Sequence, residues 1–591
     1  MDLTPPPACD LQVDFPFDYA AHIAGTRRVG RLPETALGTP VAVIGAGGSG
    51  LAAAYELMRA GCRPVLYEAE SDTSGPGGRR LGGRMHSVRL NPADSAVVEL
   101  GCMRFPDSAR LLRQYADTFG IHWDPFRENY AKGTTPVTVW DVDGKQYPAE
   151  EITDLHDLHE DFRRAHTRWQ QALTRVGFQQ VQRDVAARAL GALRSHWTRL
   201  VRDYEQWTFY RFLRDPGGAG LSADQARLLG TAGIGPAAWD SFFDISMLEV
   251  FRLLLCTQGG TMYRPREGIS ALAEGFWCHR VSSPAGRSTS LEEINEGAPR
   301  PAVTVLEVAE DPDRGVVVHS EDGLSERFAA AVFTPQLHLL ETDVDLRSTT
   351  AGRSPLGPRL WRAVRGLSYR PCSKTALVLE QPFWQGTTLD GVTLTDRLPR
   401  AAYTVDYGPA RGEGGRRAVL DLSFTWAQDA MKVASSGLGD RVRLFVRDLA
   451  RIHPDVATEL TRYADTAEAV TISWENEPHF RGLCRFSRPG EAAYVRDLFA
   501  HFMKNFTGAP AVPGEPCNAL FLAGDDTSWS PGWLDHALAS GLNAAWGVLR
   551  LLGGSHEPGN PGPGDVWSDP DYTPLVFDGQ DIPPRSPGGS S

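Results

Sequence analysis

Gly45, Gly47 and Gly50 stand in GxGxxG spacing directly after the apolar run Val41-Ala42-Val43-Ile44, and an acid, Glu68, closes the next apolar run, Pro64 to Tyr67. Each position has its own physical reason. Gly45 permits a tight turn, Gly47 lets a pyrophosphate approach the main chain, and Gly50 lets a helix pack closely on a strand. Gly48 and Ser49 open that helix, whose free N–H groups and positive dipole end face the phosphate charge. A carboxylate at the end of the second strand accepts from both hydroxyls of a ribose without a 2′-phosphate, so Glu68 points to an adenosine dinucleotide. FAD and NAD both meet this description.

The elements that must position these residues are equally legible. Val41 to Ile44 reads as a buried parallel strand, Leu51 to Ala60 has helical apolar spacing stopped by Gly61, and the whole is a βαβ unit. A second glycine-rich loop, Ser74 to Arg84, carries arginines that could reach phosphates. Leu111, Leu112, Tyr115 and Phe119 predict a helix over 107–119, with Asp107 or Ser108 as its cap. Residues 151–253 have a helical composition, with an edge near Asp215. Residues 301–308 and 315–320 alternate as a hairpin, and 282–300 reads as an exposed loop. Buried strands are expected at 329–335 and 519–524, further strands around 374–380 and 401–424, and helices over 438–452 and 534–552. The first 38 residues read as an arm, and 555–591, rich in Pro, Gly, Ser and Asp, as a mobile tail.

A chain of 591 residues is too long for one core, and a net charge of −13 argues against nucleic acid as a partner. No apolar stretch approaches the roughly 20 residues of a membrane helix, and the N-terminus lacks a secretory apolar core, so the expectation is a cytoplasmic enzyme without membrane contact. The eight cysteines form no CxxC pair. His156, His159, Glu160 and His166 lack HExxH spacing and read as a solvated helix face, so no metal is expected.

Four segments, spanning about residue 39 to 553, together resemble the flavin-dependent amine oxidase superfamily, within it the L-amino-acid oxidase and amino-acid 2-monooxygenase branch. They are the βαβ unit with Gly82-Gly83-Arg84; Gly101-Cys102-Met103-Arg104-Phe105-Pro106; Ser373-Lys374 before Pro382-Phe383-Trp384; and Ala523-Gly524-Asp525 through Ser530-Pro531-Gly532-Trp533 to Ser540-Gly541-Leu542-Asn543-Ala544-Ala545. The resemblance implies FAD rather than NAD, and an α/β fold: a discontinuous Rossmann-like FAD-binding domain (39–105, 254–340, 490–554), a mixed-sheet substrate domain (106–150, 341–489) and a helical insertion (151–253). It matches Gly45, Gly47, Gly48, Ser49, Gly50 and Glu68 to the ADP-binding positions and Arg84 to the arginine of the second loop. Gly101, Met103, Gly524 and Asp525 are matched to cofactor contacts further along. The chain at Trp533, Leu534 and Ala537 would pass the flavin ring, with the helix N-terminus at its pyrimidine edge.

The same resemblance makes Arg104 the clamp for a substrate carboxylate, which a guanidinium fork holds by two parallel charge-assisted hydrogen bonds. Lys374 matches a lysine that holds a water at flavin N5, and Trp533 an aromatic wall beside the substrate amine, with Trp529 one turn earlier. Tyr403 or Tyr407 would bond the carboxylate; spacing does not choose between them. Trp239, Asp240 and Phe243 would contribute to the side-chain pocket. Gly482 to Phe486 has no tyrosine where simple amine oxidases place a second cage aromatic, which argues against polyamines.

The implied reaction is oxidation of the Cα-amine of a large apolar or aromatic L-amino acid, with O2 as oxidant. The first reading is an oxidase giving 2-oxo acid, ammonia and H2O2. The alternative is a 2-monooxygenase giving the amide by oxidative decarboxylation; a basic substrate is possible through Asp240. A non-catalytic FAD-fold binding protein is the rival from another class, and a homodimer is the expected assembly.

Overall fold

The computed structural model describes residues 10–90, 96–126, 138–149, 154–232, 238–257, 261–282, 284, 288–409, 416–506 and 512–575. Pro40–Ile44 pairs in parallel with Arg63–Tyr67 on one side and Ala330–Phe333 on the other, and Ala330–Phe333 continues to Leu520–Leu522. These strands are nearly all buried, which is why they read as continuous apolar runs rather than alternating ones. The crossover helix Gly48–Ala60 ends at Gly61, whose φ of 106° is the left-handed stop that glycine adopts freely. Leu534–Leu551 packs across that helix. A Cβ on Gly541 would lie 2.3 Å from the Ser49 carbonyl oxygen, so the crossing requires glycine there.

A seven-stranded mixed sheet forms the second body, in the order Glu468–Ser473, Cys372–Leu379, Arg416–Trp426, Ala401–Pro409, Val392–Thr395, Thr138–Val142 and Lys145–Ala149. Neighbours are antiparallel except Val392–Thr395 with Thr138–Val142. Between Cys372–Leu379 and Arg416–Trp426 the register slips: Thr375 faces Ser423 but Ala376 faces Asp421. Leu422 is the extra residue of a β-bulge, and it reverses which side chains face each side of the sheet. Helices from Asp154–Leu158 to Met247–Thr257 make a third, aromatic-rich body.

Four local expectations are corrected. The helix at 107–119 runs Arg110–Thr118 and takes no cap from Asp107 or Ser108; the Asp535 carboxylate of the C-terminal helix accepts from Leu112 N–H at 2.7 Å instead. Residues 282–300 are not simply an exposed loop: Ser290 caps Leu291–Ile294, and the buried Asn295 accepts from Leu66 N–H. Residues 11–23 of the arm are largely core, with Phe15 fully buried and Asp14 paired to the buried Arg252. Residues 555–575 pack against the body through Trp567 and Tyr572 on Phe15, and Asn560 bonds His22; aromatic rings anchor a stretch whose composition suggests mobility.

Candidate functional site

One cavity of about 480 Å³ joins the nucleotide motif to the aromatic body. Gly45, Gly47, Gly48, Ser49, Glu68, Arg84, Gly101, Met103, Gly524, Asp525, Leu534 and Ala537 line one part. Arg104, Trp239, Phe242, Phe424, Trp426, Phe486 and Trp533 line the other. Arg104 and Trp533 therefore share a single space, as the sequence reading requires.

The dinucleotide half fits its ligand by construction. Gly45 has φ 91°, and a Cβ on Gly50 would sit 1.9 Å from the Gly45 carbonyl oxygen. A Cβ on Gly47 would meet no atom within 4 Å, so that backbone opens onto the cavity. The buried Ser49 Oγ has no hydrogen-bond partner among the described residues, a polar group waiting for a ligand oxygen. Glu68 accepts from Ala46 N–H and Glu70 N–H at 2.8 Å each, which fixes its carboxylate at the end of the second strand. The second glycine loop lies against the first through a Gly47–Gly82 bridge. Of its arginines, Arg79 goes to Glu321 and Arg80 to Glu70, so neither is directed at a phosphate; Arg84 lines the cavity, paired with Asp525 at 3.1 Å. Asp525 in turn accepts from Gly532 N–H, which anchors the turn leading to Trp533. Trp533 precedes the helix Leu534–Leu551 with no side chain capping its first turn, so that N-terminus faces the cavity through Leu534 and Ala537.

Arg104 donates to the Tyr403 hydroxyl at 3.4 Å, and its guanidinium lies 5.5 to 5.9 Å from the rings of Tyr403, Phe126 and Phe424. Tyr403 is thus the tyrosine behind Arg104. Tyr407 is held elsewhere, donating to the Val97 carbonyl beneath Arg264. Lys374 does not line the cavity: its Nζ donates to the carbonyls of Glu99 at 3.0 Å and Gly101 at 2.6 Å, and burial lowers its pKa. In this geometry it fastens the segment that delivers Arg104 rather than presenting an open ammonium. Glu99, which accepts from Ile269 N–H and the Ser87 hydroxyl, is pushed up to about 7 by burial.

Trp529, Asp240 and Phe243, like Lys374, Tyr403, Tyr407 and Gly50, do not line the cavity. Trp529 is fully buried against Phe499 and Arg252, a core residue. Asp240 pairs with Arg400, and Phe243 packs on Phe209 and Tyr210. The reason is a 3₁₀ turn, Trp239–Phe242, whose three-residue period aligns Trp239 with Phe242 and sends Asp240 and Phe243 to another side. Phe242, Phe424, Trp426 and Phe486 were missed; Phe242 packs edge-on against Trp426 and tilted against Phe486, with centroids 5.2 and 5.1 Å apart. No acidic side chain among the described residues lines this aromatic end, which removes the support for a basic substrate. His156 bonds His166 at 2.8 Å, and His159 accepts from Phe162 N–H, so these rings serve local helix structure.

A model of flavin containing amine oxidoreductases matches residues 49–549. The chain is 28% identical to a tryptophan 2-monooxygenase of Pseudomonas savastanoi, over 93% of this chain and 97% of that one. It is 27% identical to another of that name from Pantoea agglomerans pv. gypsophilae, over 93% and 95%. It is 25% identical to an L-amino-acid oxidase of Mus musculus, over 87% and 71%. A solved putrescine oxidase superposes with a TM-score of 0.60 at 17% identity, covering 86% of this chain and 98% of that one, which speaks to the fold.

Proposed function

The chain belongs to the flavin-containing amine oxidoreductase family, and from that premise we propose that it oxidises the Cα–N bond of an L-amino acid with a large apolar or aromatic side chain. The observation that carries this reading is the placement of Arg104 beside a ring of aromatic side chains, in the same cavity as the dinucleotide turn and Trp533. FAD, when bound, supplies the capacity to accept two electrons with the α-hydrogen and to pass them to O2. The protein's own residues hold and align. Gly47, Ser49 and Glu68 hold the ADP portion, and Arg84 with Asp525 orders the turn below Trp533. Arg104 takes the substrate carboxylate through its fork, backed by Tyr403, which fixes which face of Cα is presented. Trp239, Phe242, Phe424, Trp426 and Phe486 take the side chain and exclude water.

Release of the imino acid into water gives 2-oxo acid and ammonia, and the O2 that takes the two electrons leaves as H2O2. The second reading, oxidative decarboxylation to the amide, CO2 and water, is favoured by the names of the Pseudomonas and Pantoea relatives, which match over more than nine-tenths of this chain. Mass spectrometry after incubation with all twenty L-amino acids separates the two: an aromatic substrate should be consumed, giving either oxo acid with peroxide or amide with CO2. If none of the twenty bleaches the yellow protein anaerobically, the amino-acid reading is wrong.

A further inference from the structure

The sheet face that carries Tyr403 and Lys374 carries a third ionisable residue. Asp421 lies opposite Tyr403 on one neighbouring strand and opposite Ala376, two residues beyond Lys374, on the other. Directly opposed residues and those two apart share a face, so the Asp421 carboxyl is directed to the Arg104 side of the sheet. It is 8% exposed. Among the described residues it has no hydrogen bond or ion pair; Lys374 and Arg104 are the cations that act on it. Tyr407 also feels its charge, and Glu99, Arg264 and Cys372 are the next ionisable groups around the cluster.

We propose that Asp421 is a positioning residue for anion binding: it sets the charge that Arg104 presents to the cavity with Lys374 behind it, so that a carboxylate ligand enters together with a proton. The proposal rests on Arg104 being the carboxylate site. With Asp421 ionised, the ligand would place a second anion beside the same two cations. Protonation removes that repulsion, and reciprocally the bound ligand raises the proton affinity of Asp421.

The sign follows from the free protein, where burial pushes the Asp421 carboxyl up to about 6 against the pull of Lys374 and Arg104. Below that pH the group is already neutral and binding is strong and level. As pH rises through it, each ligand must bring a proton, and Kd climbs by up to about tenfold per pH unit until the bound-state pKa is passed.

The test uses the FAD-loaded enzyme and phenylacetate, an aromatic carboxylate with no amine to oxidise, with phenylacetamide as the neutral control; binding is read from the flavin absorbance. Wild type should lose phenylacetate affinity as pH rises from about 6 to 7.5, bind phenylacetamide evenly, and take up close to one proton per phenylacetate by calorimetry in two buffers of different ionisation enthalpy. Asp421→Asn should flatten the slope while Glu99→Gln keeps it. A slope that survives Asp421→Asn, or wild-type binding without proton uptake, overturns the proposal alone. Phenylacetate that fails to bind wild type, or binds Arg104→Lys equally well, overturns the amino-acid reading and the proposal with it.

Discussion

Two alanine substitutions in one motif, Gly47→Ala and Gly50→Ala, should fail in opposite ways. At Gly50 the new methyl would sit 1.9 Å from the Gly45 carbonyl oxygen and 2.9 Å from Thr334 Oγ1. Restoring a carbon–oxygen separation of about 3.3 Å requires the helix to retreat by about 1.4 Å from a strand buried on both faces. Overpacking of that kind costs about 1–3 kcal/mol. At Gly47 the methyl meets no atom within 4 Å, and φ −76°, ψ 179° suits alanine. The apoprotein should therefore keep its stability to within about 0.5 kcal/mol. The methyl does fill the space through which the backbone N–H would reach a phosphate, and losing one charged hydrogen bond costs about 1.5–3 kcal/mol, or about 10- to 150-fold in FAD affinity. The assay is thermal melting of deflavinated protein followed by FAD titration with flavin-fluorescence quenching. At equal FAD excess, the stabilisation gained on binding should shrink in Gly47→Ala by the same free energy. Wild-type FAD affinity in Gly47→Ala, or an apoprotein of Gly50→Ala as stable as wild type, would refute the assignment of these two roles.

Arg104→Lys keeps the charge but loses the fork; kcat/KM for L-phenylalanine and L-tryptophan should fall by about 10- to 150-fold with FAD content unchanged, and a parallel fall in flavin absorbance would show that the residue belongs to the cofactor site instead. Phe242→Ala removes one wall of the aromatic end, so kcat/KM for L-phenylalanine should drop by about five- to thirtyfold (about 1–2 kcal/mol) while ring-substituted tryptophans lose less; equal losses across substrates of all sizes would place the side-chain pocket elsewhere. Asp14→Ala removes the two hydrogen bonds of 2.8 and 2.9 Å that hold Arg252, 2% exposed, and leaves that buried charge only the longer contact to Glu249 at 3.8 Å. Denaturant melts should show a loss of about 3–5 kcal/mol, and a loss under about 1 kcal/mol would mean that water or another acid replaces Asp14.

What the sequence displays best is local and strongly periodic. The first βαβ unit, the strands at 330–333 and 520–522 and the helix starting at Leu534 were legible because continuous apolar runs and glycine stops act within a few residues. What it conceals is supplied across the chain. Asp535 caps a helix more than four hundred residues earlier, and Trp567 fastens a glycine- and proline-rich segment to Phe15. Neither partner carries a local signature, since a capping carboxylate and a buried ring look like any other aspartate or tryptophan until tertiary structure brings them in.

Two groups of misses at the site share one physical cause: the backbone changes its period where the cavity is built. Trp239, Asp240 and Phe243 belong to the helical insertion that the resemblance matches to a side-chain pocket, yet the chain there turns with a period of three, so Trp239 joins Phe242 in the cavity and Asp240 leaves to pair with Arg400. In Arg416–Trp426, strict alternation would put Asp421 and Phe424 on opposite faces. The bulge at Leu422 shifts the parity, so Val419 before it and Phe424 after it pack in one core, while Leu420 and Leu422 pack in the other. Phe424 and Trp426 thereby reach the cavity, and Asp421 comes to lie on the side of Lys374 and Arg104. Local departures of this kind re-aim side chains toward a ligand without disturbing the sheet around them. They also erase the regular spacing by which a sequence announces which face is buried, so the residues that define the pocket are the ones periodicity reads least well.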